Sequence, residues 1–288
     1  MSKVGIVADS AVSIPKELIK EYGIQIVPLV AIFGDKSYRD VIDLKTPDEI
    51  FQLVKKSDKF PTTSAPSPSD YLEVYRRLSQ KVDSIFCATI SAALSMCFKS
   101  ATLAKEMAQS ELPEVKIEVF DSRTTVGAMG LITLAAAQAA ASGKDMAQVI
   151  ETANKVRERV NMIFIFDTLS YLAKSGRIGR AQALMGNMLN IKPIVEVSTA
   201  TGLVEPVGRV RTKPKAVKRL LEVVEQRVGV KKPVHMMVEH TRSLDEAKEL
   251  KQTVSDRFNC VELLLCEFNP VAALITGPKM LGLSFYRD

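Results

Sequence analysis

The chain has 288 residues, 47% of them hydrophobic and 25% charged, with a mean hydropathy of +0.08: material for about two domains, too apolar to be disordered. Its four cysteines, at 87, 97, 260 and 266, lie in apolar runs without C-x-x-C spacing, which excludes a disulfide framework and reads as buried thiols in a reducing, cytoplasmic setting. Of the net charge of +6, +9 falls between Lys174 and Lys232 (13 Lys+Arg against 4 Glu). With no Trp, few aromatics and no recognition motif, that stretch reads as a solvated basic face or a contact for a local anion, and no nucleic-acid partner is expected.

Met1 to Asp9 lacks the apolar region of a signal peptide, and Lys3–Ala8 reads as a buried strand. Ser13-Ile14-Pro15 opens a helix, with a cap residue and a proline in the first turn. Ile24–Phe33 is a second β-rich run, with Pro28 marking an edge or bend. Pro47–Lys55 is a short helix, and three prolines make Phe60–Ser69 an irregular loop. A helix at Asp70–Gln80, a core strand at Ser84–Thr89, a helix at Leu94–Ser110 and a strand at Val115–Phe120 follow.

Thr124 to Gly143 carries no charge over the length of a membrane span. It is rich in alanine and contains Gln138, Ser142 and three threonines, so it reads as a buried packing helix, and no membrane span is expected. Asp145 with Gln148 caps the next helix. A boundary near 160 divides the chain into domains 1–160 and 161–288. The second half reads as a strand at Asn161–Phe166, helical stretches near 168–174 and 180–190, and strands at Ile191–Ser198 and Leu203–Arg211. A helix at Lys213–Val228, a strand at Val234–His240, a helix at Ser243–Phe258 and strands at Val261–Glu267 and Leu283–Tyr286 complete it. Strands alternating with helices predict an α/β layered fold with mostly parallel pairing.

In such sheets ligands bind beyond the carboxyl ends of the strands. Asp9-Ser10, Ser91 to Ser95 and Asp121-Ser122-Arg123 follow three of the strands, and Thr62-Thr63-Ser64 precedes a helix returning to the same edge. Hydroxyls and amide donors gathered there suit a carboxylate or phosphate, although each residue alone is an ordinary cap or turn former. His235 and His240, five apart on one strand, point to opposite faces and form neither a metal site nor a dyad. No nucleophile elbow, Walker loop, zinc motif or dinucleotide fingerprint is present, and Ser175 to Arg180 lacks the lysine of a phosphate loop. A binder without catalytic residues, metal or other cofactor fits better than an enzyme.

Asp9-Ser10, Tyr38 to Asp43, Thr63 to Pro68, Leu94-Ser95, Asp121-Ser122-Arg123 with Gly127, Leu169 to Leu172 with Gly176-Arg177-Ile178, Leu189 to Ile194, and Arg209 to Thr212 occur in an order and spacing that resemble the DegV family of bacterial fatty-acid-binding proteins, over the whole chain. The resemblance implies a two-domain α/β protein: an N-terminal domain with a mostly parallel sheet flanked by helices, a C-terminal mixed-sheet α/β domain, and a ligand tunnel between them. It implies one long-chain fatty acid, its carboxylate on Thr63 and Ser95. It also implies a partner kinase that phosphorylates the carboxylate, with Arg177 and Arg211 in that contact, so this chain would be a carrier. Thr62, Ser64, Ser91, Asp9 and Ser10 complete the expected ligand-binding edge.

Five positions depart from the family pattern. Met96-Cys97 replace a glycine and threonine after Ser95, Ser175 replaces the first glycine of G-G-R-I, and Ile275 stands where the family has a histidine. Lys279, where a glycine is usual, either takes over the histidine's role toward the carboxylate or simply points to solvent. The alternatives are a divergent member binding another lipid without a kinase, or an enzyme using Ser95, Asp9 or Asp121 on an acyl or phosphorylated small molecule. A basic regulatory or nucleic-acid-binding module is a third.

Overall fold

The structure, a computed structural model, describes residues 3–185 and 191–288. Chain order begins with β1 (Val4–Asp9), α1 (Lys16–Glu21), β2 (Gln25–Val27), β3 (Val30–Phe33), β4 (Lys36–Arg39), α2 (Pro47–Lys56), β5 (Thr62–Ser64) and α3 (Pro68–Ser79). Next come β6 (Ser84–Thr89), α4 (Cys97–Glu111), β7 (Lys116–Asp121), α5 (Val126–Ala141) and α6 (Met146–Arg159). The remainder is β8 (Asn161–Ile165), α7 (Ser170–Lys174), a 3-10 turn (Gly179–Leu184), β9 (Lys192–Val197), β10 (Val204–Val210), α8 (Lys213–Val228), β11 (Val234–Thr241), α9 (Leu244–Arg257), β12 (Cys260–Glu267), α10 (Pro270–Thr276) and β13 (Met280–Arg287).

The first sheet, in the order β2-β1-β6-β7, is parallel throughout. Every residue of β1 and β6 is buried, because helices cover both faces of a parallel sheet. Side chains alternate accordingly: Val7, Ile85 and Cys87 pack with α3 and α4, while Ile6, Ala8, Phe86 and Ala88 face α5. The second sheet, β10-β9-β8-β13-β11-β12, is mixed, antiparallel except for the β11–β12 pair. One of its faces carries α8 and α9 over Ile163, Ile165 and Val238; the other presents Met162 and Phe164 toward the first sheet.

Helix α5 lies between the two sheets, with all but three of its residues buried. Its uncharged, small-residue composition is what permits this. A Cβ on Gly130 would sit 2.1 Å from the Ser13 carbonyl oxygen, so the backbones touch where a larger residue would hold them apart. Among the described residues no helix is long and apolar enough to cross a membrane.

Three sequence expectations fail locally. Ile24–Phe33 is not one run: it breaks at Pro28, leaving β2 in the first sheet and β3 in a third, antiparallel sheet of order β4-β3-β5. Phe60–Ser69 is not irregular throughout, since β5 fits between its prolines and Pro68 opens α3 behind the Ser67–Asp70 capping box. The predicted Asp145–Gln148 box is present. Helix α10 was not foreseen. The expected helix over 180–190 is a 3-10 turn to Leu184; Leu189-Asn190 and the rest of 186–190 lie outside the described residues.

The third sheet and α2 are fastened to the second sheet's end. Arg242 pairs with Asp48 at 2.6 Å and lies over the Phe51 ring, and Phe51 and Phe60 both meet Tyr171 edge-on. These contacts bring β5 over the gap between the two large sheets.

Candidate functional site

The gap is a cavity with about 820 Å³ of empty space, its mouth included. Its walls come from both halves of the chain. Ala11, Ile90 and Leu94 follow strands of the first sheet; Leu29 and Thr63 to Ala65 come from around the third. Met162, Phe164, Phe166, Val195 and Val197 are the inward positions of β8 and β9 and their continuation, with Phe268 and α10 closing the side. The lining is dominated by apolar side chains. The polar groups in it are Thr63, Ser64, Ser95, Thr125, Thr276, Arg177 and Glu196.

Thr63 and Ser64 reach the cavity because β5 pairs Thr63 with Ala31 and Ser64 with Val30. The Thr63 hydroxyl makes no hydrogen bond within the described chain. Ser95 precedes α4; its Oγ accepts the Cys97 amide N–H at 3.4 Å and lies 3.1 Å from Cys97 Sγ. With those neighbours on the helix side, the hydroxyl can turn its proton toward the cavity. The positive end of α4 stands behind it, an arrangement that favours an anion. Arg177 is half-buried, donates Nη1–H to the Ser175 carbonyl at 2.6 Å, and is the only cation of the described lining.

Other residues of the expected edge do not line the cavity. Thr62 is exposed. The Ser91 hydroxyl donates to the Gly202 carbonyl at 2.9 Å, tying the loop after β6 to the β9–β10 hairpin. Asp9 is fully buried behind the cavity, where it accepts the amides of Ala11 (3.0 Å) and Ile90 (2.8 Å); burial pushes its carboxyl up to about 7. Ser10 accepts from Leu29 N–H and donates to Asp40 at 2.7 Å. Asp121 accepts the amides of Ala92 and Arg123, an ordinary turn role.

Lys279 corrects the expectation that it replaces the family histidine. It is exposed, its backbone is held by Thr241, and it borders a separate depression with Asp167, Lys192, Lys213 and Arg242, while Ile275 lines the cavity. Gly277, between them, turns the chain out of α10 and away from the site. Arg211 is exposed beyond the end of β10 and is not part of the lining.

The histidines occupy separate structural positions. His235 stacks on Tyr286 at 4.5 Å between Glu262 and Asp288, and the Glu262 carboxylate raises its pKa. His240 is buried, which lowers its pKa, and its Nδ1 is 3.4 Å from the Ser243 amide. No cluster of His, Cys, Asp and Glu suited to a metal occurs among the described residues. Chemically, the cavity offers hydroxyl and guanidinium donors above an apolar bed.

Sequence reasoning missed two buried acids and one helix. Asp40 receives the Ser10 hydroxyl and the Val271 amide (3.0 Å), and so fixes the start of α10 against the first half. Glu239 receives the Gly127 amide and joins α5 to the second sheet. Helix α10 supplies Val271, Ala272, Ile275 and Thr276 to the lining; Asn269 at its N-cap, Pro270 at its first position and Gly277 after it are its sequence signals.

Two α/β layers thus enclose an apolar cavity whose lining carries a few oriented donors. The sequence model of the DegV family, described as uncharacterised proteins, matches residues 3–288, and the chain belongs to that family. It is 34% identical over 285 residues to a DegV domain-containing protein of Clostridium perfringens, covering 99% of each chain. A solved structure titled as fatty acid binding of a DegV family protein from Thermus thermophilus is similar at 31% identity and a TM-score of 0.91, over 99% of this chain and 100% of that one. A stearic-acid-binding protein from Eubacterium ventriosum is similar at 28% identity and a TM-score of 0.85, over 100% and 98%.

Proposed function

We propose that this protein binds one long-chain fatty acid in the cavity, with the carboxylate on the hydroxyls of Thr63 and Ser95 and near Arg177. The observation that carries the reading is the apolar cavity between the sheets, interrupted by those donors. Each buried methylene is worth about 0.8 kcal/mol, so a chain of about 16 methylenes gains on the order of 13 kcal/mol before association and ordering costs. The polar anchor then has only to orient the ligand, and charge-assisted hydrogen bonds from two hydroxyls suffice. The relatives described as fatty-acid-binding support the same ligand class.

In this reading the chain is a carrier without turnover of its own, built from domains 1–160 and 161–288, and works in the bacterial cytoplasm, where its four free cysteines stay reduced. A partner kinase receives the carboxylate, with Arg177 at the head group and exposed Arg211 toward the partner. Calorimetric titration of delipidated protein with stearic acid and with butyric acid tests the ligand class. The reading requires saturation near one stearic acid per chain and none by butyric acid; equal responses, or no response to stearic acid, refute it.

A further inference from the structure

Phe164 stands directly across the antiparallel ladder from Gly282, on a strand paired on both sides, with β8 and with β11. A Cβ on Gly282 would lie 1.8 Å from Phe164 Cδ1, 2.7 Å from its Cε1 and 2.5 Å from the Ile163 carbonyl oxygen. The ring therefore lies across the bare α-carbon. Gly282 is absent from the positive-φ residues, so its backbone would accept any side chain, and space alone demands the glycine. A glycine inside a strand weakens it, and such a position marks the close approach of another group.

The group here is a wall of the cavity. Phe164 lines it, edge-on to Phe268 at 5.6 Å and to Phe166 at 6.5 Å, and on its other side pairs with Val195, also in the lining. Beyond Gly282 in the same cross-strand row is Glu239, fixed by the Gly127 amide and the Ser284 hydroxyl. The ring cannot slide further that way. Anything added on Gly282 has one way to displace it, back toward Val195 and the cavity.

We propose that Gly282 and Phe164 together set the girth of the cavity, and so restrict it to slender, unbranched acyl chains. The inference rests on the reading that the cavity holds a fatty acid. The missing side chain of Gly282 is the seat that draws the Phe164 ring aside. Because both residues sit on central strands rather than on a loop, this wall of the cavity is fixed and does not retreat to admit a methyl branch. One extra methyl at a packed position is enough to force a ring out of its place.

The test is calorimetric titration of delipidated wild type, Gly282→Ala and Phe164→Leu with stearic acid and with methyl-branched phytanic acid, circular dichroism checking the fold. Wild type is expected to prefer stearic acid. Gly282→Ala should weaken stearic acid about tenfold. Phe164→Leu should improve phytanic acid relative to stearic acid about tenfold. A folded Gly282→Ala with wild-type affinity overturns the proposal. If Gly282→Ala does not fold, the single Phe164→Leu decides: an unchanged ratio of the two acids overturns it. Wild type that binds stearic acid while the variants leave selectivity untouched overturns the girth proposal alone; wild type that binds neither acid overturns it together with the lipid reading.

Discussion

The carboxyl of Glu239 is fully buried in the middle of the second sheet, where it accepts the Gly127 N–H at 2.7 Å and the Ser284 hydroxyl at 2.6 Å. Those two bonds favour the charged form, but burial outweighs them and pushes the pKa from 4.5 to about 8. The folded protein therefore holds a proton that the unfolded chain releases near 4.5. The resulting stabilisation is complete below about pH 4.5 and is lost as the pH rises through about 8. At 1.36 kcal/mol per unit, the full span is at most about 5 kcal/mol. Glu239→Gln removes the titration while its amide keeps both contacts, the oxygen accepting from Gly127 and the nitrogen donating to Ser284. Urea unfolding of both proteins from pH 5 to pH 9 should show similar stabilities at the acid end and the variant ahead by several kcal/mol at the alkaline end. Asp9 and Asp40, also raised to about 7, titrate in both proteins and cancel in the difference. A gap that does not change with pH, or one in which wild type gains as the pH rises, would refute the reasoning.

Thr63→Ala and Ser95→Ala should each weaken stearic acid binding about tenfold or more, since a hydrogen bond to a charged group is worth about 1.5–3 kcal/mol; unchanged displacement of a fluorescent fatty acid by either variant would count against the head-group assignment. Gly202 has φ +72° and an added Cβ would lie 2.3 Å from Ser91 Oγ, so Gly202→Ala should lower stability by about 2–3 kcal/mol in thermal unfolding. A melting temperature equal to wild type contradicts that contact. Native protein should react with a maleimide first at half-buried Cys260, with Cys87, Cys97 and Cys266 protected until unfolding. Peptide mass spectrometry showing equal rates at all four sites would refute the burial pattern.

The elements legible in the sequence are those whose apolar pattern is set by burial. Ser84–Thr89 is a core strand and Lys213–Val228 an amphipathic helix, and both have the predicted bounds. The third sheet was hidden because Lys36–Arg39 is polar and Thr62–Ser64 is three residues between prolines, both at sheet edges where backbone pairing, not side-chain burial, makes the strand. Of the hydroxyls that line the cavity, Thr63, Ser64 and Ser95 are legible from the strand edge and the family resemblance, while Thr125 and Thr276 are not. Asp9 and Ser91 follow strands in the same way, yet their side chains are taken up by backbone amides and by the Gly202 carbonyl, a distinction that only three-dimensional neighbours make. The expected role of Lys279 failed because Gly277 turns the chain outward within two residues of α10. Glu239 was invisible for a related reason: a single acid in the apolar run Val234–Thr241 looks solvent-facing until Gly127 and Ser284 are brought to it.

What the cavity holds decides whether this chain is a fatty-acid binder. Denaturing organic extraction of the purified protein, followed by mass spectrometry, should release about one long-chain fatty acid per chain, and a Thr63→Ala/Ser95→Ala double variant should release far less. An empty extract from wild type, with no uptake of added fatty acid by the same preparation, would contradict it.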